Sequence, residues 1–335
     1  MKAVLCKTHG LPETLVVEEL PSPVPGPKQV LISVKACGVN FPDTLIIQNL
    51  YQFKPALPFS PGGELTGIVK AVGEGVKHVQ PGQPVLAFTG WGGFAEEVLA
   101  DAKTVIPLPP TVDLTVAAAF MMTYGTSYHA LKDRANLQPG ETLLVLGASG
   151  GVGLAAIELG KKMGARVIAA ASTAEKLEVC KENGADLLVN YTDHNWREQI
   201  KTLTDGKGAD VIYDPVGGEF AEPALRSIAW KGRYLVVGFA AGDIPKVPLN
   251  LALLKGCSIV GVFFGDFAAR EPQASQGNAM QLFAWLMQGE LKPYISGQYP
   301  LERASEALRA LMDRKVSGKI VLVTGKQGGV VHPEN

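Results

Sequence analysis

The sequence predicts an α/β fold in two parts, a doubly wound parallel sheet joined to a smaller β-rich domain. Three observations predict it. Apolar strand-like runs alternate with helical stretches from about residue 140 to 264, the signature of a parallel sheet covered on both faces. The run LLVLGASGGVG at 143–153 sets a glycine-rich turn between a strand and a helix. The first 110 or so residues instead carry short strands punctuated by Gly and Pro. At roughly 150 residues per domain, 335 residues suggest two domains.

The elements follow in order. Residues 2–6 and 14–19 are short apolar runs, and the prolines at 21, 23, 25 and 27 read as a stiff surface connection. In 29–36, Val30, Ile32, Val34 and Ala36 alternate with other residues at period 2, the mark of a half-buried strand. Strands at 65–72 and 84–88 continue the pattern, and an Ala-rich helix is expected over 113–132. Strands at 143–146, 166–171, 187–189, 209–213, 232–237 and 256–264 then alternate with helices at 151–163, 174–182, 194–204 and 218–229. Helices at 277–288 and 301–315 and a strand at 319–323 close the pattern, and the tail from 325 carries none.

Composition narrows the function classes. Apolar residues are 47% and charged residues 19%, which excludes a disordered chain. Net charge is −1 with no long basic run, so nucleic acid is not an expected partner. No apolar stretch approaches ~18 residues, so no membrane span is expected. Residues 1–10 show no apolar signal-peptide core, and Cys6, Cys37, Cys180 and Cys257 are scattered. These features together fit a cytoplasmic protein without disulfides.

The glycine-rich turn carries the strongest chemical signal. Gly150 and Gly153 match the second and third glycines of the dinucleotide fingerprint, and Ala148 sits where the first would be. Pyrophosphate is expected against Ser149, Gly150, Gly151, Val152 and Gly153, where a helix N-terminus favours anions. An NAD site carries Asp or Glu at the tip of the second strand, to bond the ribose 2′-hydroxyl. Here that tip is Ser172–Thr173, followed by Glu175 and Lys176, a set that suits a 2′-phosphate and therefore NADPH. Tyr191, after the third strand, is expected at the adenosine end.

Residues 37–69, the GASGGVG turn and 214–242 together resemble the medium-chain dehydrogenase/reductase superfamily, and within it the zinc-free quinone oxidoreductases. The run at 225–256 is especially similar to one subgroup of these. The resemblance covers about 1–323 and implies a Rossmann domain at 123–269. It implies a GroES-like catalytic domain from 1–122 with 270–335, and an active site in the cleft between the two. The zinc-dependent alcohol dehydrogenases carry a ligand Cys where this sequence has Asn40, and a His–Glu pair where it has Gly63 and Glu64. No Cys lies near 118–125, and the four-Cys lobe of structural zinc is missing. Catalytic zinc needs three protein ligands, so no metal is expected. Cys37 is expected to be buried filler.

Without a Lewis acid, reducing a quinone or the β-carbon of an enone is easier than alcohol–aldehyde interconversion, because the charge delocalises. The resemblance places Asn40, Asp43 and Tyr51 at the floor of the site. Tyr51 is the expected hydrogen-bond or proton donor to the substrate carbonyl. Asn40 is expected to donate to a carbonyl or hold the nicotinamide ribose, and Asp43 to orient rather than act as an acid. The resemblance sets Thr126, Val216 and Phe239 beside the cofactor. Backbone groups of 262–264 would hold the carboxamide, with Val262, Phe263 and Phe264 around it. The apolar strand at 256–264 is expected to pair across a two-fold axis in a homodimer. His129 and His194 read as structural. Two alternatives stand beside the quinone or enone reductase. One is an enoyl-thioester reductase, with Lys54, Arg270 and Lys292 as scattered candidates for the CoA phosphates. The other is an NADPH-binding structural or RNA-associated protein, which the net charge disfavours.

Overall fold

Residues 1–325 are described by the structure, a computed structural model; residues 326–335, where the sequence shows no pattern, lie outside it. The chain forms two units, one from residues 1–122 with 295 onward, the other Thr123–Tyr294.

Along the first unit run β1 (Lys2–Leu5), β2 (Val16–Glu19), β3 (Gln29–Gly38), α1 (Phe41–Ile46), β4 (Glu64–Val72), β5 (Pro84–Phe88), β6 (Glu97–Asp101), β7 (Val105–Pro107) and α2 (Leu114–Ala118). The chain passes onward within α3 (Met121–Tyr128). The second unit holds β8 (Thr142–Leu146), α4 (Gly151–Lys162), β9 (Arg166–Ala171), α5 (Ala174–Glu182), β10 (Leu187–Asn190), α6 (Trp196–Leu203) and β11 (Ala209–Asp214). It continues with α7 (Ala221–Arg226), β12 (Ile228–Val236), α8 (Asn250–Lys255), β13 (Ser258–Gly261), α9 (Phe264–Arg270) and α10 (Pro272–Met287). The first unit is completed by β14 (Ile295–Pro300), α11 (Ala304–Met312) and β15 (Lys319–Val323).

In the first unit a seven-stranded sheet is built around β3, in the order β14-β15-β3-β4-β5-β7, with β6 also paired to β3. The alternating residues Val30, Ile32 and Val34 are all buried, as their period requires, with Leu65, Val85 and Phe94 in the same core. In the second unit the sheet order is β10-β9-β8-β11-β12-β13, all pairs parallel. That is the doubly wound order that reverses between β8 and β11, and ligands of such sheets bind at the strand C-termini beside that reversal.

Four expectations need correction. The helix over 113–132 is broken: α2 stops at Ala118, α3 starts at Met121, and the last turn widens to a π-helix at His129–Arg134. The break frees amides that a buried carboxylate takes up, since Met122 N donates to Glu64 Oε1 at 2.7 Å. The helix over 218–229 is a 3-10 turn at Gly218–Phe220 leading into α7, and it ends at Arg226 because β12 starts early at Ile228, which pairs with Ala209 ahead of a register irregularity. The strand over 256–264 is only β13; Gly256 ends α8 in a left-handed conformation, and Phe264 already begins α9. The return to the first unit comes at 295 rather than 270. Residues of α9 and α10 are held by the second unit: the Phe267 ring stacks on His129 at 3.8 Å, Asn278 donates to Asp133, and Trp285 packs edge-on against Tyr128.

Candidate active site

The turn after β8 is shaped by backbone crowding. Gly147 takes φ +55, and a Cβ there would lie 2.7 Å from the Val216 side chain. At Gly153 a Cβ would lie 2.5 Å from Gly147 O and 2.6 Å from Ala148 O, so only hydrogen lets α4 start this close to β8. Gly150 is the extended residue before α4, and its nearest neighbour is 3.3 Å from a hypothetical Cβ. The tight-turn role that the fingerprint assigns to its first glycine therefore falls to Gly147, while Ala148 is buried. Ser149 is buried, and Gly151 and Val152 sit half-buried in the first turn of α4. The Ser127 hydroxyl of α3 donates to Val152 O at 2.9 Å and meets Tyr213 OH at 2.8 Å, which ties that turn to its surroundings. A helix start cleared of side chains and held in place is a seat for an anion.

The other candidates of this unit lie at the same C-terminal edge of the sheet. Thr173 caps α5, its hydroxyl accepting from Lys176 N at 3.3 Å. Glu175 is held below the ordinary carboxylate range by its own amide and the Thr173 hydroxyl. Ser172 precedes them half-buried at the tip of β9. Tyr191 follows β10, its amide on Ala171 O and its ring 4.5 Å from that of Phe220. Val216 follows β11, its amide held by Asp214 Oδ1 at 2.7 Å. The Phe239 ring closes over Gly217. Val262 is buried and bonded to Val236 O, whereas Phe263 is 46% exposed. Phe264 lays its ring against Gly125 of α3, one residue from the half-buried Thr126. Asp214, buried and pushed up by burial, accepts from Tyr234 OH.

The first unit gathers a buried polar cluster. Asn40 and Asp43 are buried at the start of α1, Glu64 at the start of β4 and Lys319 at the start of β15. Asp43 Oδ2 accepts from Asn40 N at 2.7 Å and Oδ1 from Gly62 N at 3.1 Å, so Asp43 joins the α1 turn to the 60–63 loop. Asn40 Oδ1 accepts from Lys319 Nζ at 2.6 Å, and its Nδ2 donates to Gly38 O at 3.2 Å and Glu64 Oε2 at 3.3 Å. The amide expected to reach a substrate carbonyl or the ribose is thus engaged within the cluster. Burial pushes the Asp43 carboxyl up to about 6 and Glu64 up to about 7, against the attraction of Lys319 and the hydrogen bonds they accept. Cys37 is buried, its thiol on Glu64 O at 3.1 Å, and burial raises it well above its ordinary value. Tyr51 is half-buried, its ring 5.6 Å from Phe53 and at 68° to it; burial, then Asp43, raises the hydroxyl. Leu50, Phe53 and Leu57 of the same segment are exposed apolar side chains.

Comparison with known proteins places this pair of units. Residues 26–110 match the alcohol dehydrogenase GroES-like domain, and residues 151–284 match the zinc-binding dehydrogenase domain. The chain is 42% identical over 327 residues to the quinone oxidoreductase-like protein 2 homolog of Nematostella vectensis, covering 96% of this chain and 89% of the relative. The chain belongs to the quinone oxidoreductase family of the medium-chain dehydrogenases and reductases. Its first unit carries the GroES-like domain and its second the Rossmann domain. Among solved structures, Escherichia coli quinone oxidoreductase complexed with NADPH superposes with a TM-score of 0.90 at 29% identity, over 96% of this chain and all of that one. A mycobacterial protein complexed with NADPH superposes equally well at 31% identity, with the same coverage.

Within the quinone oxidoreductase fold, the Gly150 and Gly153 turn and the Ser172–Thr173 tip lie at the C-terminal edge of the parallel sheet. Sequence reasoning missed Gly147 and Lys319. A lysine opening the apolar strand KIVLV, where its side chain must face the core, is the sequence signal that could have found the latter.

Proposed function

We propose that this quinone oxidoreductase relative is an NADPH-dependent reductase of quinones or α,β-unsaturated carbonyls that works without a metal. The observation that carries the reading is the glycine-cleared start of α4 at the sheet's reversal, in a fold whose E. coli neighbour is complexed with NADPH. The residues fit the cofactor. Gly153 lets the start of α4 approach the β8 turn, which brings its first-turn amides to the phosphates, and the Ser172, Thr173 and Lys176 tip offers hydroxyls and a cation to a 2′-phosphate. The bound nicotinamide supplies the hydride. In this reading Val216, Phe239, Val262 and Phe264 are the apolar contacts of the cofactor and Thr126 offers it a hydroxyl. Tyr51, kept protonated by its raised pKa, donates to the oxygen on which charge develops. The exposed Leu50, Phe53 and Leu57 of the same segment offer a flat apolar substrate something to lie against.

Zinc, which the name of the matched dehydrogenase domain implies, does not fit the residues here. At the positions where zinc-dependent relatives carry Cys and His stand Asn40 and Gly63, and an ammonium already bonds Asn40 Oδ1 and Val39 O. A homodimer belongs to the same reading. Ile259 on the edge strand β13 is exposed, as are Trp230, Leu249, Leu253 and Leu254. Four free cysteines support a reducing compartment such as the cytoplasm. The acyl-CoA alternative has less support, since Arg270 is ion-paired with Asp266.

The test is a panel of ortho-quinones, para-quinones, 2-alkenals and acryloyl-CoA, followed by NADPH absorbance, with metal content and molar mass measured on the same sample. Turnover of a quinone or an alkenal by metal-free protein is expected. Turnover of acryloyl-CoA alone, or none of any substrate, overturns the reading.

A further inference from the structure

We propose that Lys319 is the built-in cation of the first unit's polar cluster, standing in for a metal charge and positioning Asn40 and Glu64. The proposal deepens the metal-free reading and rests on it for the comparison with zinc-dependent relatives.

Lys319 opens β15, which lies between β14 and β3. Only 5% of its surface is exposed, and its Nζ donates to Val39 O at 2.7 Å and Asn40 Oδ1 at 2.6 Å. An ammonium donates and never accepts, so its contact fixes which end of the Asn40 amide is oxygen. The amide nitrogen is then directed to Gly38 O and Glu64 Oε2. Glu64 in turn caps α3 through Met122 N. One cation thus sets a chain of contacts from β15 through α1 and β4 to α3.

The charges give the cluster its logic. The titratable groups that face one another are Lys319 on β15, Asp43 on α1, Glu64 on β4, Cys37 on β3 and the nearby Tyr51. With the thiol and phenol neutral, one ammonium and two carboxylates sum to −1. Burial disfavours a net charge, so one proton is retained on the carboxylate pair near neutrality. Both carboxyls are raised by burial and drawn down by Lys319; Lys319 is lowered by burial and drawn up by Glu64, Asp43 and Cys37. Without the ammonium, both carboxyls would have to remain protonated to stay buried.

The sign of the pH effect follows. Asp43 and Glu64 hold protons more tightly folded than unfolded, so their contribution to stability is present at low pH and lost as pH rises through about 6 to 7. Removing the ammonium raises both carboxyls further, so the loss grows and extends to higher pH.

The experiment is thermal unfolding of the full chain from pH 5 to 9, without cofactor or substrate. It compares wild type, Lys319→Met, Glu64→Gln and the double variant. Expected is a Lys319→Met melting point equal to or above wild type at pH 5, and lower by at least ~5 °C at pH 8. The double variant should regain most of that pH 8 loss, because removing one carboxylate removes the need for the cation. If Lys319→Met does not fold, Glu64→Gln alone decides, since it should flatten the wild-type decline between pH 6 and 8. A deficit of Lys319→Met that is the same at every pH, or a double variant that simply adds two losses, makes Lys319 a packing residue and overturns the proposal. An unflattened decline in Glu64→Gln does so too. None of these curves depends on turnover, so failure of the reductase reading would show in the substrate panel and leave them standing.

Discussion

Replacing Gly153 by alanine tests the cofactor seat with one methyl group. That methyl would stand 2.5 Å from Gly147 O and 2.6 Å from Ala148 O, both backbone atoms. Carbon–oxygen contacts ordinarily begin near ~3.3 Å, so the start of α4 has to retreat by about 0.8 Å. Overpacking of this kind costs about 1–3 kcal/mol. In a unit of this size each kcal/mol moves the melting point by roughly 2–4 °C, so a fall of ~2–12 °C is expected. The same retreat carries the first-turn amides away from the phosphates, and NADPH affinity should weaken ~10- to 100-fold, about 1.4–2.7 kcal/mol. Gly277 is the control. It lies exposed within α10, with nothing within 4 Å of a Cβ, so Gly277→Ala should raise stability by about 0.5–1 kcal/mol and leave NADPH binding alone. The assays are calorimetric NADPH titration and thermal unfolding of both variants. Wild-type affinity and wild-type melting in Gly153→Ala would show that the close approach of helix and strand is not what makes the seat.

Three further outcomes follow from the site. Tyr51→Phe should lower turnover roughly 10- to 1000-fold with cofactor affinity and melting point nearly unchanged; loss with a 2-alkenal but not with a quinone marks Tyr51 as proton donor, and an unchanged rate with both removes it from the mechanism. Wild type should bind NADPH far more tightly than NADH, and Lys176→Glu should weaken NADPH by about 1–3 kcal/mol while sparing NADH; equal calorimetric affinities for the two cofactors in wild type refute the reading of the β9 tip. Activity should survive exhaustive chelation, and one zinc per chain by elemental analysis would refute the metal-free reading of Asn40 and Gly63.

The doubly wound half was legible because its signals are local. Strands β8 to β11 are short apolar runs, and α4, α5 and α6 each begin within a few residues of the strand before them, so period and punctuation order that stretch. The β-rich half was less legible. Strands β6, β7 and β14 are short, and their register is set by pairing with β3, β5 and β15, which no local period reports. The break between α2 and α3 was invisible for the same reason. Its cause is Glu64, a residue 58 positions before the amide it caps. The domain return was misplaced because α10 looks like any helix in sequence, while its attachment runs through Asn278 to Asp133 and Trp285 to Tyr128.

The same division runs through the site. The glycine-rich turn is made by consecutive residues, so the pattern of glycines reports it, and Gly147, whose role the fingerprint did not assign, lies within the same run. The polar cluster of the first unit is made by Asn40, Asp43, Glu64 and Lys319, which β3, α1, β4 and β15 bring together from nearly 280 residues apart. No spacing rule can report that arrangement. What the sequence does report is an anomaly at each member. Asn40 and Gly63 stand where the resemblance leads one to look for metal ligands, Glu64 follows Gly63 directly, and Lys319 enters an apolar strand. Taken singly, each is a departure without a cause. Three ionisable groups buried together must approach neutrality, and that requirement joins the departures: two buried acids without a metal between them still need a positive charge. The lysine at 319 supplies it from the far end of the chain.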